Sequence, residues 1–410
     1  MGHPTRFFGF RSHGNLKEEP VFYHPELDVL RFFAFLAVFF HHALPRNPNL
    51  YIRGGLSPTA TQWVLTAKDA GSYGVDLFFV LSSYLITELL LREHASQGRF
   101  SISAFYVRRA LRIWPLYFTF LAATVFLIPN ILPNQQFGSI YAVAFALFVG
   151  NWVCAIYGIP VSVASPLWSI SVEEQFYLGW PLALRLFGID RVKLLALGML
   201  SLAIATRVFM AAYGFEHPAV WCNTIARLDP IAIGAILAFS LRGRVLHISN
   251  ALRVLLCGVA LAGFMLTARY LGQDGPTSII TYTVTALASV LLLIAVLKTD
   301  TPLLRVPTFS WLVYLGRISY GLYVFHLLAL ALVAKLTFVS LLGISLNFER
   351  RLILSLLLTV LFAATSYKLL EQPFLKLKKR FTVVPTRERA VQVGPQDREV
   401  GSGADFVRAS

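Results

Sequence analysis

Long apolar runs recur from residue 29 to residue 375, and this recurrence limits what the chain can fold into more than any other feature. Candidate helices lie at roughly 29–44, 75–91, 113–132, 139–154, 169–188, 192–213, 225–241, 251–271, 279–297, 312–336 and 351–371. Several are shorter than the ~20 residues that a span prefers. The runs are continuous rather than alternating, which points to helices and not to a membrane barrel. Only 14% of residues are charged and 56% are apolar. A soluble domain carries about 25% charged residues. The expected fold class is all-α: a polytopic integral membrane helix bundle.

Charge placement sets the count. Lys and Arg concentrate in REHASQGRFSISAFYVRRALR (92–112), RLFGIDRVK (185–193), LRGRVL (241–246), KTDTPLLR (298–305), KLKKR (376–380) and the N-terminal tail. Short basic loops face the cytoplasm. With the N-terminus inside, the first two helices put 92–112 inside. Counting 113–132, 139–154 and 169–188 as three spans then puts every later basic loop outside, whereas counting two corrects all of them. The sequence therefore predicts about ten transmembrane helices in a cell (inner) membrane, both termini cytoplasmic. One of those three segments, 139–154 by preference, is re-entrant or broken. Such backbone is tolerated at membrane depth only where protein or a water-filled cavity covers it.

Residues 1–26 read as a basic cytoplasmic tail, 27–375 as the transmembrane domain and 376–410 as a polar, disordered tail. The start of the chain lacks the apolar stretch of a cleavable signal peptide. The net charge of +15 orients the protein in a membrane; lipids are the expected partner and nucleic acid is not. Cys154, Cys222 and Cys257 have neither CxxC nor metal-ligand spacing, so neither a disulfide framework nor a metal site is expected.

Ionisable groups inside spans are costly, and each is a functional candidate. The run LRFFAFLAVFFHHALP carries Arg31 at one end and His41 and His42 at the other. Arg31 and His42 are eleven residues apart, about three turns and ~16 Å along a helix, so both lie on one face. His41 is rotated ~100° away. Read alone, His42 is an interfacial histidine at a helix end; sharing a face with Arg31 is what raises it to a candidate. The stretch SPLWSISVEEQFYLGWP places Glu173, Glu174 and Gln175 near the start of a helix. Ser171 and Glu174 have the spacing of a capping box, which leaves Glu173 unexplained. In the ten-span order this acidic start falls in the leaflet of His42. A carboxylate there would fix the imidazole tautomer and stabilise the imidazolium of a general base.

Arg109 and Arg112, three apart with Arg108 adjacent, share a helix face. They are either ordinary positive-inside charge or a fork suited to phosphates. Asp76 is either a second acidic site group or a helix-dipole partner. Arg227 and Asp229 are expected to pair with neighbouring helices, His326 to serve as core or pathway, and Glu371 to close a helix before Pro373.

Seven pieces in order resemble the membrane-bound acyltransferase 3 family: LDVLRFFAFLAVFFHHA, GVDLFFVLSSYLIT, FYVRRALRIWPLY, PLWSISVEEQFYLGWP, RLDPIAIGAILA, ISYGLYVFHL and YKLLEQPF. Together they span 27–375. The family often has glycine where Val29 and Phe32 stand, and Ser-Gly-Tyr where this chain has Ser82, Ser83 and Tyr84. The resemblance implies an acyl-CoA donor, acetyl-CoA foremost, whose phosphates meet Arg109 and Arg112 and whose pantetheine arm runs beside Arg31. It implies His42 as the catalytic histidine; acting as a base, His42 is expected to be oriented by Glu173 or Glu174, and no metal is expected. The acceptor is expected to be a hydroxyl of an envelope carbohydrate such as exopolysaccharide or lipopolysaccharide, or of a small hydroxylated metabolite. A transporter or flippase of envelope precursors is the competing class.

Overall fold

A computed structural model describes residues 24–135, 137–244, 246–297, 310–338 and 347–381. The residues before 24, the basic loop 298–305 and the residues after 381 lie outside that set. The described elements are all helical. In chain order they are α1 (Pro25–Ala43), α2 (Pro48–Arg53), α3 (Pro58–Ala70), α4 (Gly74–Gln97), α5 (Ile102–Phe126), α6 (Ile128–Ile131), α7 (Ser139–Ala146), α8 (Gly150–Tyr157) and α9 (Leu167–Phe187). Then come α10 (Val192–Ala212), α11 (Ala219–Cys222), α12 (Leu228–Leu241), α13 (Asn250–Tyr270), α14 (Gly275–Val296), α15 (Ser310–Arg317), α16 (Ser319–Phe338), α17 (Phe348–Ser366) and α18 (Gln372–Lys378).

Among the described residues six helices are long and apolar enough to cross a membrane: Pro58–Gln97, Ile189–Ala212, Asn250–Tyr270, Gly275–Val296, Ser319–Leu336 and Phe348–Lys378. Each contains or matches an expected apolar run. α10, α13 and α17 leave rows of large apolar side chains outside the protein, among them Leu197, Val254, Leu255, Leu357 and Leu361. Lipid is the solvent that suits such a surface. α1 is different: Glu26, Asp28 and Arg31 lie within it, and α5 and α9 carry the other candidate site charges.

The segment expected to be broken is broken. α7 ends at Ala146, α8 starts at Gly150, and Phe148 between them has φ 55°. The carbonyls freed by the break find protein partners: Tyr117 Oη donates to Phe145 O at 2.8 Å and Gln175 Nε2 to Phe148 O at 2.8 Å. This is the condition under which irregular backbone survives at membrane depth. The proposed helix end at Glu371 is not one. A π-helical turn at Tyr367–Glu371 runs on into α18, so the chain stays helical past the expected domain limit at 375.

Two close helix contacts set the frame around the site. A Cβ on Gly74 would sit 2.5 Å from Ala34 O, so α4 starts hard against α1. One on Gly234 would collide with Ser83 Oγ and lie 2.6 Å from Val80 O, so α12 lies hard against α4. Small residues let helix backbones approach where lipid supplies no hydrophobic drive between them. Buried ions tie α12 and the turn before it to α4 and α10. Arg227 donates to Asp76 at 2.6 Å, and Arg207 pairs with Asp229 at 3.1 Å; all four are fully buried. The Arg227 guanidinium also lies 4.3 Å from the ring centroid of Trp221 and 4.4 Å from that of Tyr282. The expected pairing of Arg227 and Asp229 with neighbouring helices is thus present, and Asp76 is a structural partner in it.

Candidate active site

α1 runs unbroken from Arg31 to His42, which realises the expected spacing, and its two ends border different cavities. Arg31 lines one of about 90 Å³, together with Ser82, Arg109, Arg112, Glu173 and Tyr177. His42 lines a larger one of about 660 Å³, with His41, Arg46, Lys68, Trp168 and Trp221 among its walls. His42 is accessible to solvent through this cavity.

At the arginine end, Arg31, Arg109 and Arg108 are each held by a neighbour. Arg31 donates to Asp28 at 3.1 Å, one turn back on α1. Arg109 lies 5.6 Å from the Phe105 ring and 5.4 Å from the Tyr177 ring. Arg108 turns away from the cavity, pairs with Glu93 and donates to Phe381 O at 2.8 Å. The helix therefore sorts three adjacent cations: Arg108 ties the bundle together, while Arg109 and Arg112 face the cavity.

The carboxylates differ from expectation. No capping box forms at Ser171. α9 begins at Leu167 with Pro166 as its N-cap, and Ser171 Oγ turns back to Leu167 O. The Ser165-Pro166 pair starts the helix nearly two turns before the acids, so Glu173 lies ~9 Å along it rather than at its mouth. Glu173 accepts from Ser82 Oγ at 3.0 Å and from Tyr177 Oη at 2.7 Å. It lines the arginine cavity, not the histidine one. Glu174 accepts from Trp114 Nε1 at 3.1 Å. Gln175 holds the α7–α8 break and accepts from Thr224 Oγ1 at 2.6 Å. Successive residues are rotated ~100° on a helix, which sends these three to three different neighbours.

The partner of His42 is His326 on α16, which the sequence marks as a core or pathway residue. His326 Nε2 is 3.3 Å from His42 Nδ1, and His326 is fully buried. Backbone carbonyls assign the protons, because a carbonyl only accepts. His326 Nδ1 is 2.6 Å from Tyr323 O, so Nδ1 carries the hydrogen and Nε2 is the bare nitrogen. His42 Nδ1 is 2.9 Å from Val38 O and carries its hydrogen too. That hydrogen lies between two acceptors, Val38 O and His326 Nε2. The neutral His42 ring is left with a free lone pair on Nε2. This is the tautomer of a general base, fixed by the bond its other nitrogen makes. His41 is anchored elsewhere, its Nδ1 2.9 Å from Lys68 O. The sequence offered one signal for His326: it stands three residues after Tyr323, on the same helix face.

Across the larger cavity, Lys68 pairs with Asp69 at 3.6 Å. His217 lies in the connection between α10 and α11, outside the membrane-crossing helices. Its pKa is pushed below the ordinary histidine value, chiefly by burial; Asp274 opposes the shift and Arg46 adds to it. At neutral pH its ring is uncharged.

A family model described as an acyltransferase domain matches residues 24–368. The chain belongs to this acyltransferase family. It is 27% identical over 384 residues to the peptidoglycan O-acetyltransferase OatA of Listeria monocytogenes, covering 86% of this chain and 56% of that protein. It is 26% identical over 390 residues to the O-acetyltransferase OatA of Staphylococcus aureus, covering 89% of this chain and 60% of that one. The chain thus spans less than two thirds of the length of these relatives. No solved structure matches.

Proposed function

We propose that this membrane acyltransferase carries an acyl group, acetyl by preference, from acyl-CoA to a hydroxyl of an envelope carbohydrate. The observation that carries this reading is the two-ended α1. Three arginines border one cavity, and a tautomer-fixed imidazole borders another ~16 Å along the same helix. The extended pantetheine arm of CoA has that order of length. Arg109 and Arg112 take the phosphates, where paired guanidinium forks outperform single point charges. Arg31 lines the path of the arm. Glu173, held by Ser82 and Tyr177, balances part of the arginine charge while the donor is absent.

His42 Nε2 removes the acceptor proton as the hydroxyl oxygen attacks the thioester carbonyl. The new C–O bond forms, the C–S bond breaks, and the proton on His42 passes to the departing thiolate. While His42 is charged, its Nδ1–H points at Val38 O and His326 Nε2. His326 therefore supplies the orienting contact first assigned to Glu173 or Glu174.

The names of the relatives support an envelope acceptor: one is a peptidoglycan O-acetyltransferase. The topology belongs to the same proposal. The chain crosses the inner membrane about ten times, both termini are cytoplasmic, and α7 and α8 form the re-entrant segment. CoA then arrives from the cytoplasm and the acceptor from outside. The test is transfer of radiolabel from acetyl-CoA to an envelope fraction by membranes that contain the protein. Wild type should label the fraction, and His42→Ala should lose about 10²–10⁴-fold, the usual contribution of a general base. Equal labelling by the two would overturn the reading.

A further inference from the structure

The two cavities share two lining residues, Val75 on α4 and Tyr323 on α16. Both are buried. They stand between the arginines and His42, so any acyl group delivered from the arginine side passes them to reach the imidazole.

Tyr323 is a fixed wall and not a loose lid. Its hydroxyl is 2.7 Å from Ser169 Oγ and 3.2 Å from Pro166 O. Its ring meets Phe78 edge-on at 5.7 Å between centroids. Its carbonyl is the acceptor that fixes the His326 tautomer. Val75 presents a short branched side chain on a rigid helix, close to the point where Gly74 meets Ala34 O. Both sides of the passage are therefore held by packing and hydrogen bonds.

We propose that Val75 and Tyr323 form a constriction that selects the acyl group by length, admitting acetyl and holding back longer chains. The proposal rests on the acyl-CoA reading above and adds the residues that set its donor specificity. A rigid apolar passage discriminates a methylene by about 10–200-fold, so the filter is legible in rate ratios.

The experiment measures transfer from acetyl-, butyryl- and hexanoyl-CoA by membranes carrying the full chain, as wild type, Val75→Ala and Val75→Phe. Val75→Ala removes two methyl groups from the wall and leaves the Tyr323 anchors untouched. It should raise the butyryl-to-acetyl ratio by about tenfold or more. Val75→Phe should suppress transfer of acetyl itself while acetyl-CoA still protects the arginine cavity from a guanidine-directed reagent. Active wild type with the same ratio in Val75→Ala would overturn the constriction alone. Failure of every chain, wild type included, to transfer any acyl group would overturn the acyl-CoA reading and this inference with it.

Discussion

The proton on His42 Nδ1 is shared between a carbonyl and a neutral ring nitrogen, so the contact from His326 is that of a hydrogen-bond acceptor rather than a charge. Replacements at 326 should follow acceptor ability. His326→Gln, whose amide oxygen still accepts, should keep most of the transfer rate. His326→Leu should lower kcat by about 10²-fold, the lower end of what a general base contributes, with KM for the donor unchanged. A loss confined to KM would contradict the assignment. Glu173 gives a second prediction at this scale. It lines the arginine cavity beside Ser82 and Tyr177, so Glu173→Gln should alter KM for acyl-CoA by severalfold and leave the pH dependence of kcat in place. A shifted kcat–pH profile would return Glu173 to the imidazole.

Helix α4 is locked on one side by Gly74 against α1 and on the other by Gly234 of α12, and the Asp76–Arg227 pair crosses the same contact. Removing one member of a buried pair leaves an uncompensated charge, which costs ~3–5 kcal/mol. Asp76→Leu should therefore shorten the lifetime of the folded protein in detergent, and adding Arg227→Met should recover much of the loss. Thermal unfolding of the single and double variants measures this. A double variant no more stable than the single would show that Arg227 matters through its contacts with Trp221 and Tyr282 instead. The broken α7–α8 pair depends in a similar way on one side chain. Gln175 joins the break to α9 and to Thr224. Its amide is held in that bonded network, which suits a brace better than a ligand-binding group.

At the scale of the molecule, the helical class and the two-ended α1 were readable because both follow from one-dimensional spacing. Apolar runs of span length have few other folds, and eleven residues between Arg31 and His42 fix a face and a distance without knowledge of any neighbour. The break at 147–149 falls in 139–154, the preferred one of three segments that charge placement marks as candidates for interruption. Glu173 faces the arginine cavity because its side of α9 is turned toward Ser82 of α4, an orientation that the Ser-x-x-Glu spacing does not reveal. His326 was hidden for a different reason: 284 positions separate it from His42, and nothing local in an apolar helix announces a partner that far away. The passage at Val75 and Tyr323 likewise exists only once α4 and α16 are packed. Donor binding and proton transfer are, on this reading, divided between the two ends of α1. The direct measurement is acetyl-CoA affinity and single-turnover transfer rate, taken together, for His42→Ala and for Arg109→Ala/Arg112→Ala. The histidine variant should bind acetyl-CoA as wild type does and fail to transfer, while the arginine variant should bind weakly and transfer at a near-normal rate once saturated. A histidine variant that loses binding, or an arginine variant that binds normally, would contradict it.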